Sequence, residues 1–350
     1  MIKFFRHIRR SLLNENKMGK YFKYAIGEIL LVVIGILIAL QINNWNESRK
    51  IENEINQTVA DLEKDLINNH KEAQRVLKFY YKLDSLTKLG IYNKLKKEDY
   101  YNNQFLNYLT TNWYQFRPKT SNIIKLIDFE KDAKAEYKPI IEAAKLLRDQ
   151  KIDLDSNWDH VAKTVNDEME FNSKYLFTLA KDSINKAAKI DYFLNDPEYE
   201  KRLSKSWAIN QVYYDNVSRY LALNLGTLLH IKQINSDFDT AKIKQVFAEY
   251  NMSPFKNADC SESLSTAPQY KMYRASHLLA NVTKDTVFVN IHFDKKRTSQ
   301  HILEPYQTAR SNSYFLGIDG SQNALYEQID KQGNCIRKFK AVQHGYLIID

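Results

Sequence analysis

Glycine and proline are scarce in this chain, with nine and six residues among 350. Together they make up about 4% of the chain against roughly 12% in average proteins, which excludes collagen-like and propeller-like architectures and favours long, uninterrupted helices. Two cysteines exclude a disulfide scaffold and an all-cysteine zinc site. No glycine pair has the spacing of a phosphate-binding loop, and no H-E-x-x-H, G-x-S-x-G or paired S-x-x-K motif occurs. The sequence therefore indicates no catalytic residue and no cofactor.

One apolar run stands out, from Tyr24 to Trp45. Between Ile26 and Ile42, 12 of 17 residues are Ile, Leu or Val. At roughly −0.3 to −0.6 kcal/mol each, these side chains favour membrane insertion by about 4–7 kcal/mol. A long basic region precedes the run and no A-x-A cleavage site follows it, so an uncleaved transmembrane helix at 24–45 is predicted. A cleaved signal peptide is the alternative.

Basic residues cluster before this run. Residues 1–23 hold seven Lys or Arg against Glu15, and the positive-inside rule places this end in the cytoplasm and residues 46–350 in the periplasm. Residues 1–50 carry most of the net charge of +9, so the basic balance reports topology and indicates no nucleic-acid partner. Residues 2–13 are amphipathic, which predicts a short helix on the inner leaflet. A frayed basic tail is the alternative.

Three stretches near the N-terminus closely resemble the start of a known family: Met1-Ile-Lys-Phe-Phe5-Arg, Lys20-Tyr-Phe-Lys-Tyr-Ala-Ile-Gly-Glu28 and Leu31-Val-Val-Ile-Gly-Ile-Leu-Ile-Ala-Leu-Gln-Ile-Asn-Asn-Trp-Asn-Glu47. The family is a domain of unknown function, made up of single-pass inner-membrane proteins of Gram-negative bacteria. The resemblance is strongest over residues 1–47. A looser one runs to about residue 235 and includes Phe116-Arg-Pro118 and Asp196-Pro-Glu-Tyr199. It implies topology and architecture, and no catalytic residue.

Small residues repeat along the predicted membrane helix. Gly27, Gly35 and Ala39 fall on roughly one helical face, which is typical of a contact with a second copy of the chain or with another membrane protein. Alternatively, such residues are simply common in membrane helices. Glu28 either faces a partner or extends toward the headgroup layer.

Three heptad-like apolar seams predict long helices. The first covers 51–83 and precedes Gly90, which is the first plausible stop. The second covers 203–231 and follows an Asp196-Pro197 start signal. The third, over 161–179, is weaker and carries a candidate cap near its start.

Shorter helices are predicted at 98–114 and 120–149, where Pro139 marks a kink or a restart. The helices and their short connections predict a long stalk helix and an antiparallel bundle over 46–250. Four asparagines fall in the seams: Asn69, Asn172, Asn210 and Asn224. A buried asparagine fixes register or oligomeric state, or it lines a polar ligand pocket.

The composition changes after residue 250. Residues 251–269 carry Pro and Ser without apolar periodicity and predict a linker. Residues 270–350 then show a period of two and turn signals, which predict a small antiparallel β-sandwich or barrel. Its seven strands are expected at 271–280, 286–293, 299–304, 311–318, 323–330, 335–341 and 345–349.

Candidate metal ligands concentrate in this β-rich end: His292, Asp294, His301 and His344. Their loose spacing fits ordinary surface residues, so no metal is predicted. Cys260 and Cys335 both follow the predicted anchor, where disulfides are allowed. The sequence leaves open whether they pair.

Three classes of function remain. The favoured one is a non-enzymatic, membrane-anchored envelope protein whose helical and β modules bind a partner or act as a scaffold. The second is a ligand-sensing bundle, which would signal through a partner membrane protein because only about 23 residues face the cytoplasm. The third is an enzyme without recognisable motifs.

Overall fold

The computed structural model describes residues 18–176, 183–234, 240–249, 253–264, 272–292, 298–316, 324–342 and 345–350. By internal contacts the chain divides into two compact units. One comprises residues 1–57 with 131–133, and the other residues 58–130 with 134–350. The predicted amphipathic segment at 2–13 lies outside the described residues.

The described helices are α1 (Met18–Ile91), α2 (Lys97–Asn102), α3 (Ser121–Asp128), α4 (Lys138–Phe171), α5 (Ser183–Asn195), α6 (Pro197–Ile234) and α7 (Thr240–Glu249). Short 3-10 helices lie at Gln104–Tyr108 and Ala135–Tyr137, and a π-helical stretch follows α4 at Asn172–Leu176. The mainly helical architecture predicted from the sequence is confirmed.

The two stronger seams are buried, as their periodicity predicts. On α1 the buried seam positions within the second unit include Val59, Leu62, Leu66, Ala73, Val76, Tyr80 and Leu83. On α6 they include Leu203, Val217, Leu221, Leu228 and Ile231. The helix α6 begins where predicted, because Oδ1 of Asp196 accepts a hydrogen bond from the amide of Glu198 at 2.7 Å.

Two predicted helices differ from the structure. The segment at 98–114 is not one helix: α2 ends after six residues, where the side chain of Asn103 accepts from the amide of Phe105 and starts a 3-10 turn. The segment at 120–149 is split into α3 and α4, with Pro139 in the first turn of α4. The restart predicted at Pro139 is therefore confirmed.

The third seam is buried at Val161 and Val165, as predicted, and departs from the prediction at residue 169. Met169, predicted to be buried, is 46% exposed, whereas the neighbouring Glu168 is buried. Glu168 pairs with Nη1 of Arg202 at 2.9 Å, so a charged side chain takes the inward position because its counter-ion lies opposite. The predicted cap near residue 155 was also wrong, since α4 runs continuously through it.

The strands are β1 (Ser253–Pro254), β2 (Lys256–Ala258), β3 (Met272–Asn281), β4 (Val287–His292), β5 (Thr298–Leu303), β6 (Thr308–Leu316), β7 (Leu325–Ile329), β8 (Cys335–Lys340) and β9 (Gly345–Ile349). All seven predicted strands are present within a few residues. The segment predicted as a linker also contributes β1 and β2, which are too short to show an alternating pattern.

The strands form two sheets that share a core. One is a five-stranded antiparallel sheet in the order β2-β8-β7-β4-β5, and the other has the order β1-β9-β3-β6. In the second sheet β9 pairs in parallel with β3 and β1. Apolar residues of both sheets form one cluster, with Val289 and Ile291 from one and Leu279 and Leu347 from the other. This is a sandwich-like arrangement, and the described strands close no barrel.

Within the second unit the helices and sheets pack directly on each other. Oγ1 of Thr308 on β6 donates to the carbonyl of Ala222 on α6 at 2.7 Å. A Cβ at Gly226 would lie 2.8 Å from the same Thr308 oxygen, so this close approach requires glycine. On α7, the ring of Phe247 stacks on Tyr346 of β9 at 4.6 Å.

We expect Leu221→Asp to lower the free energy of unfolding by about 3 kcal/mol or more, because it buries an unpaired charge. Leu221 is 5% exposed in the middle of α6. Thermal and denaturant unfolding followed by circular dichroism measure the effect.

Val212→Asp is the matched control, since Val212 lies on the same helix and is 50% exposed. It should change stability by less than about 1 kcal/mol. Equal losses in the two variants would contradict the assignment of residue 221 to the core.

Candidate functional site

The apolar part of α1 has no packing partner of its own within the described chain. Across the window that starts at Ile26, none of the residues is buried, and its mean hydropathy is 2.3. Ile29 is 65% and Leu37 is 58% exposed. By length and composition this helix is able to cross a membrane.

The small residues of this segment face open space. A Cβ built at Gly27 or Gly35 would meet nothing within 4 Å, and Ala39 is exposed while Glu28 is half-buried. Packing within the described chain therefore does not require small residues here. The prediction that this face contacts a partner is not tested by the structure.

Asn69 holds an extended segment against the bundle. Its Oδ1 accepts from the amide of Lys119 at 2.8 Å, and its Nδ2 donates to the carbonyl of the same residue at 2.9 Å. Nδ2 of Asn69 also lies 3.3 Å from the hydroxyl of Tyr220. Because Asn69 bonds both the N–H and the C=O of Lys119, the extended segment is fixed in register. Asn69 therefore has a structural role.

The other seam asparagines differ in burial. Asn224 is 1% exposed, and its Nδ2 donates to the carbonyl of Leu66 at 2.9 Å, while its Oδ1 is buried without a partner among the described residues. Asn210 and Asn172 are half-buried, the latter in the π-helical stretch. The four seam asparagines do not converge on one site.

A buried carboxylate lies between α1 and α6. Asp84 is 5% exposed and accepts from Nε1 of Trp207 at 2.7 Å and from Nε2 of Gln211 at 2.8 Å. Nζ of Lys88 completes the set at 2.9 Å. Because three donors on the two helices engage its oxygens, this carboxylate holds α1 and α6 together.

We expect Asn69→Leu to lower the free energy of unfolding by about 1–3 kcal/mol, because both backbone groups of Lys119 lose their partner. Asn224→Leu should be neutral or stabilising, because the carbonyl of Leu66 already lies in a helical hydrogen-bonding position and an orphan oxygen is removed. Denaturant unfolding of both variants measures the difference.

Asn210→Leu is the control for this pair, since its half-buried side chain forms no hydrogen bond with the described residues. Equal effects of the Asn69 and Asn224 substitutions would contradict the structural distinction between them.

We expect the buried side chain of His70 to make the stability of the second unit depend on pH. It is 1% exposed, and burial lowers the pKa of its imidazole from the ordinary 6.5 to about 3. In the unfolded chain this histidine binds a proton below its ordinary pKa of 6.5, whereas in the folded protein it stays neutral down to about 3. The free energy of unfolding therefore falls as the pH is lowered between these two values. Between pH 7.5 and 5.5 we expect a loss of roughly 1.4 kcal/mol from this group.

His70→Gln should remove this part of the pH dependence, whereas His160→Gln, at an exposed position, should retain it. Unfolding free energies of both variants at the two pH values test this. Parallel pH profiles in the two variants would contradict it.

A cavity of about 440 Å³ lies where the end of α1 and the start of α2 meet the α5–α6 junction. Its lining residues include Gly90, Tyr100, Phe193 and Leu203. A Cβ at Gly90 would lie 2.7 Å from a methyl group of Leu203, so glycine permits this approach. Asn93, also in the wall, takes a left-handed conformation with φ of 53°.

The cavity combines aromatic rings with acidic groups. The ring of Phe193 lies 4.5 Å from that of Tyr199 and 5.6 Å from that of Tyr100, centroid to centroid. Asp196 and Glu200 line the same space, and none of its lining residues among those described is Lys or Arg. In the sequence, Asp196 was interpreted only as part of a helix start signal, and no pattern indicated the cavity.

The predicted metal-type residues do not form a site in the described chain. His292 is hydrogen-bonded through Nε2 to Oε2 of Glu327 at 3.0 Å, and Lys338 lies 3.1 Å from the other oxygen of Glu327. Although burial opposes it, hydrogen bonds from His292 and Lys338 hold the pKa of Glu327 below its usual range. Asp294 and His344 lie outside the described residues, within which no group of three metal-binding side chains occurs.

Cys260 and Cys335 form a disulfide, with Cα atoms 6.1 Å apart. The bond ties the segment after β2 to the start of β8. Nζ of Lys338 donates to the carbonyls of Cys260 at 2.7 Å and Glu262 at 3.1 Å, so the same segment is held twice.

One family of known sequences matches part of this chain. Residues 28–180 are similar to a family of unknown function (DUF6090). The matched segment covers most of α1 and the whole of α4. No curated protein and no solved structure matched the chain.

Proposed function

We propose that this chain is a single-pass bacterial inner-membrane protein that acts in the envelope without enzymatic activity, as a scaffold or by binding a partner. The observation that carries the proposal is the apolar stretch of α1, which is exposed at every position from Ile29 to Ile42. An apolar surface of this length is costly in water and stable in a bilayer. The N-terminus lies in the cytoplasm and residues 46–350 lie in the periplasm.

The disulfide supports this orientation independently of the charge pattern. Disulfides persist in the periplasm and are rare in the reducing cytoplasm. Cys260 and Cys335 both follow the anchor in the sequence, so the folded body and the oxidising compartment are expected on the same side.

A scaffold function fits the way the interior polar groups are used. Asn69 and Asp84 bond to neighbouring elements of the body. The partner in the membrane is a second copy of the chain or another membrane protein, held through the face of Gly27, Gly35 and Ala39.

The cavity favours a second candidate, a ligand-sensing bundle. Its volume of about 440 Å³ falls in the range of roughly 300–1,000 Å³ typical of small-molecule sites. A sensor of this topology would pass its signal to a partner membrane protein.

We expect alkaline phosphatase fused after residue 60 to be active and β-galactosidase fused at the same point to be inactive. The positive-inside rule keeps the basic N-terminal segment in the cytoplasm, so the chain after the anchor enters the periplasm. Enzyme assays on cells that produce each fusion measure the topology.

Fusion of the same two reporters after residue 20 is the reciprocal control and should give the opposite pattern. β-Galactosidase activity from the fusion after residue 60 would overturn the orientation.

A further inference from the structure

We propose that the cavity at the α5–α6 junction binds a free aliphatic diamine or polyamine. The inference deepens the ligand-sensing function and rests on it for biological meaning. Binding itself is a property of the second unit and is independent of how the chain is anchored.

The charge of the cavity favours a cation. Asp196 and Glu200 stand four residues apart at the start of α6, so they lie on one helical face. The carboxylate of Glu200 forms no hydrogen bond or ion pair with a described residue. The two cations that follow on the same helix are engaged elsewhere: Lys201 lies 3.9 Å from Glu198, and Arg202 is paired with Glu168 at 2.9 Å.

An anion is disfavoured at the same place, although a helix begins there. The positive end of a helix dipole attracts anions when its amides are free. Here Oδ1 of Asp196 already accepts from the amide of Glu198 at 2.7 Å. Asp196 and Glu200 add negative charge at the cavity, so a free carboxylate or phosphate would be repelled.

Two buried hydroxyl groups supply the polar contacts inside the cavity. Tyr100 and Tyr199 are 1% and 4% exposed, and both line the cavity. Neither hydroxyl forms a hydrogen bond with a described residue. Burial raises the pKa of both phenols, that of Tyr100 to about 12, so each stays neutral and its oxygen is able to accept a bond from an ammonium group.

The aromatic rings suit the rest of such a ligand. The ring of Phe193 already has Nζ of Lys189 at 5.4 Å from its centroid, so the rings left for the ligand are those of Tyr100 and Tyr199. A methylene chain packs against them, and an ammonium group within about 6 Å of a ring is attracted by its quadrupole. A metal ion fits less well, because the described residues offer no group of three metal-binding side chains. Two carboxylates beside a wall of aromatic and aliphatic side chains match two ammonium groups joined by methylenes.

Isothermal titration of the full chain in detergent, with putrescine and spermidine as probes, tests the proposal. Both should bind, whereas 1,4-butanediol and glutarate, an uncharged and an anionic analogue, should not. In the double variant Asp196→Asn/Glu200→Gln the dissociation constant should rise at least tenfold, a loss of about 1.4 kcal/mol or more. Asparagine retains the helix cap, so the fold should be kept.

Glu198→Gln is the matched control: it removes a carboxylate from the same turn outside the cavity and should leave affinity unchanged. If the double variant melts early, Glu200→Gln alone decides, since its carboxylate is exposed. Absence of amine binding up to about 10 mM, equal binding of butanediol, or unchanged affinity in the cavity variants would overturn the proposal. None of these results would affect the reporter fusions, so its failure is distinguishable from failure of the anchored-envelope function.

Discussion

Burial of α6 on almost every side is the constraint on which the rest of the second unit depends. Apolar contact alone does not fix how such a helix is rotated or how far it slides, because the hydrophobic effect is non-directional. Several neighbouring elements are joined to α6 by hydrogen bonds as well. These bonds join Asn69 to Tyr220 at 3.3 Å, Leu66 to Asn224 at 2.9 Å, Gln150 to Asn216 at 2.9 Å, Phe116 to Tyr213 at 2.8 Å and Thr308 to Ala222 at 2.7 Å.

These bonds explain why a buried helix carries so many polar residues. A hydrogen bond inside the protein contributes little net stability, but a buried donor or acceptor left unpaired is costly. Any rotation of α6 would break several bonds at once and leave their atoms unpaired, so the polar groups select one arrangement of the helices. The extended segment around Phe116 is held in this way from two sides, by Tyr213 and by Asn69.

The long helices and the seven strands were predictable because periodicity reports which face of an element is buried. The exact buried face of α4 could not be predicted in this way. A charged residue such as Glu168 is expected at the surface unless its partner Arg202, 34 residues away, is known. The segment at 98–114 was misjudged for a similar reason: the side chain of Asn103 starts a 3-10 turn after α2, and apolar spacing does not record such a bond. The cavity depends on the close approach of Gly90 to Leu203, which no local pattern encodes.

The same contrast bears on where a function can reside. A side chain that holds the fold together, as Asn69 holds Lys119, is unavailable to a ligand unless the protein gives up that bond. The hydroxyls of Tyr100 and Tyr199 and the carboxylate of Glu200 carry no such bond to a described residue. Because these groups lie at a junction between helices and not along a seam, they can exchange partners while the bundle stays intact. The seams therefore specify the fold, and the helix ends are the part of the body free to bind.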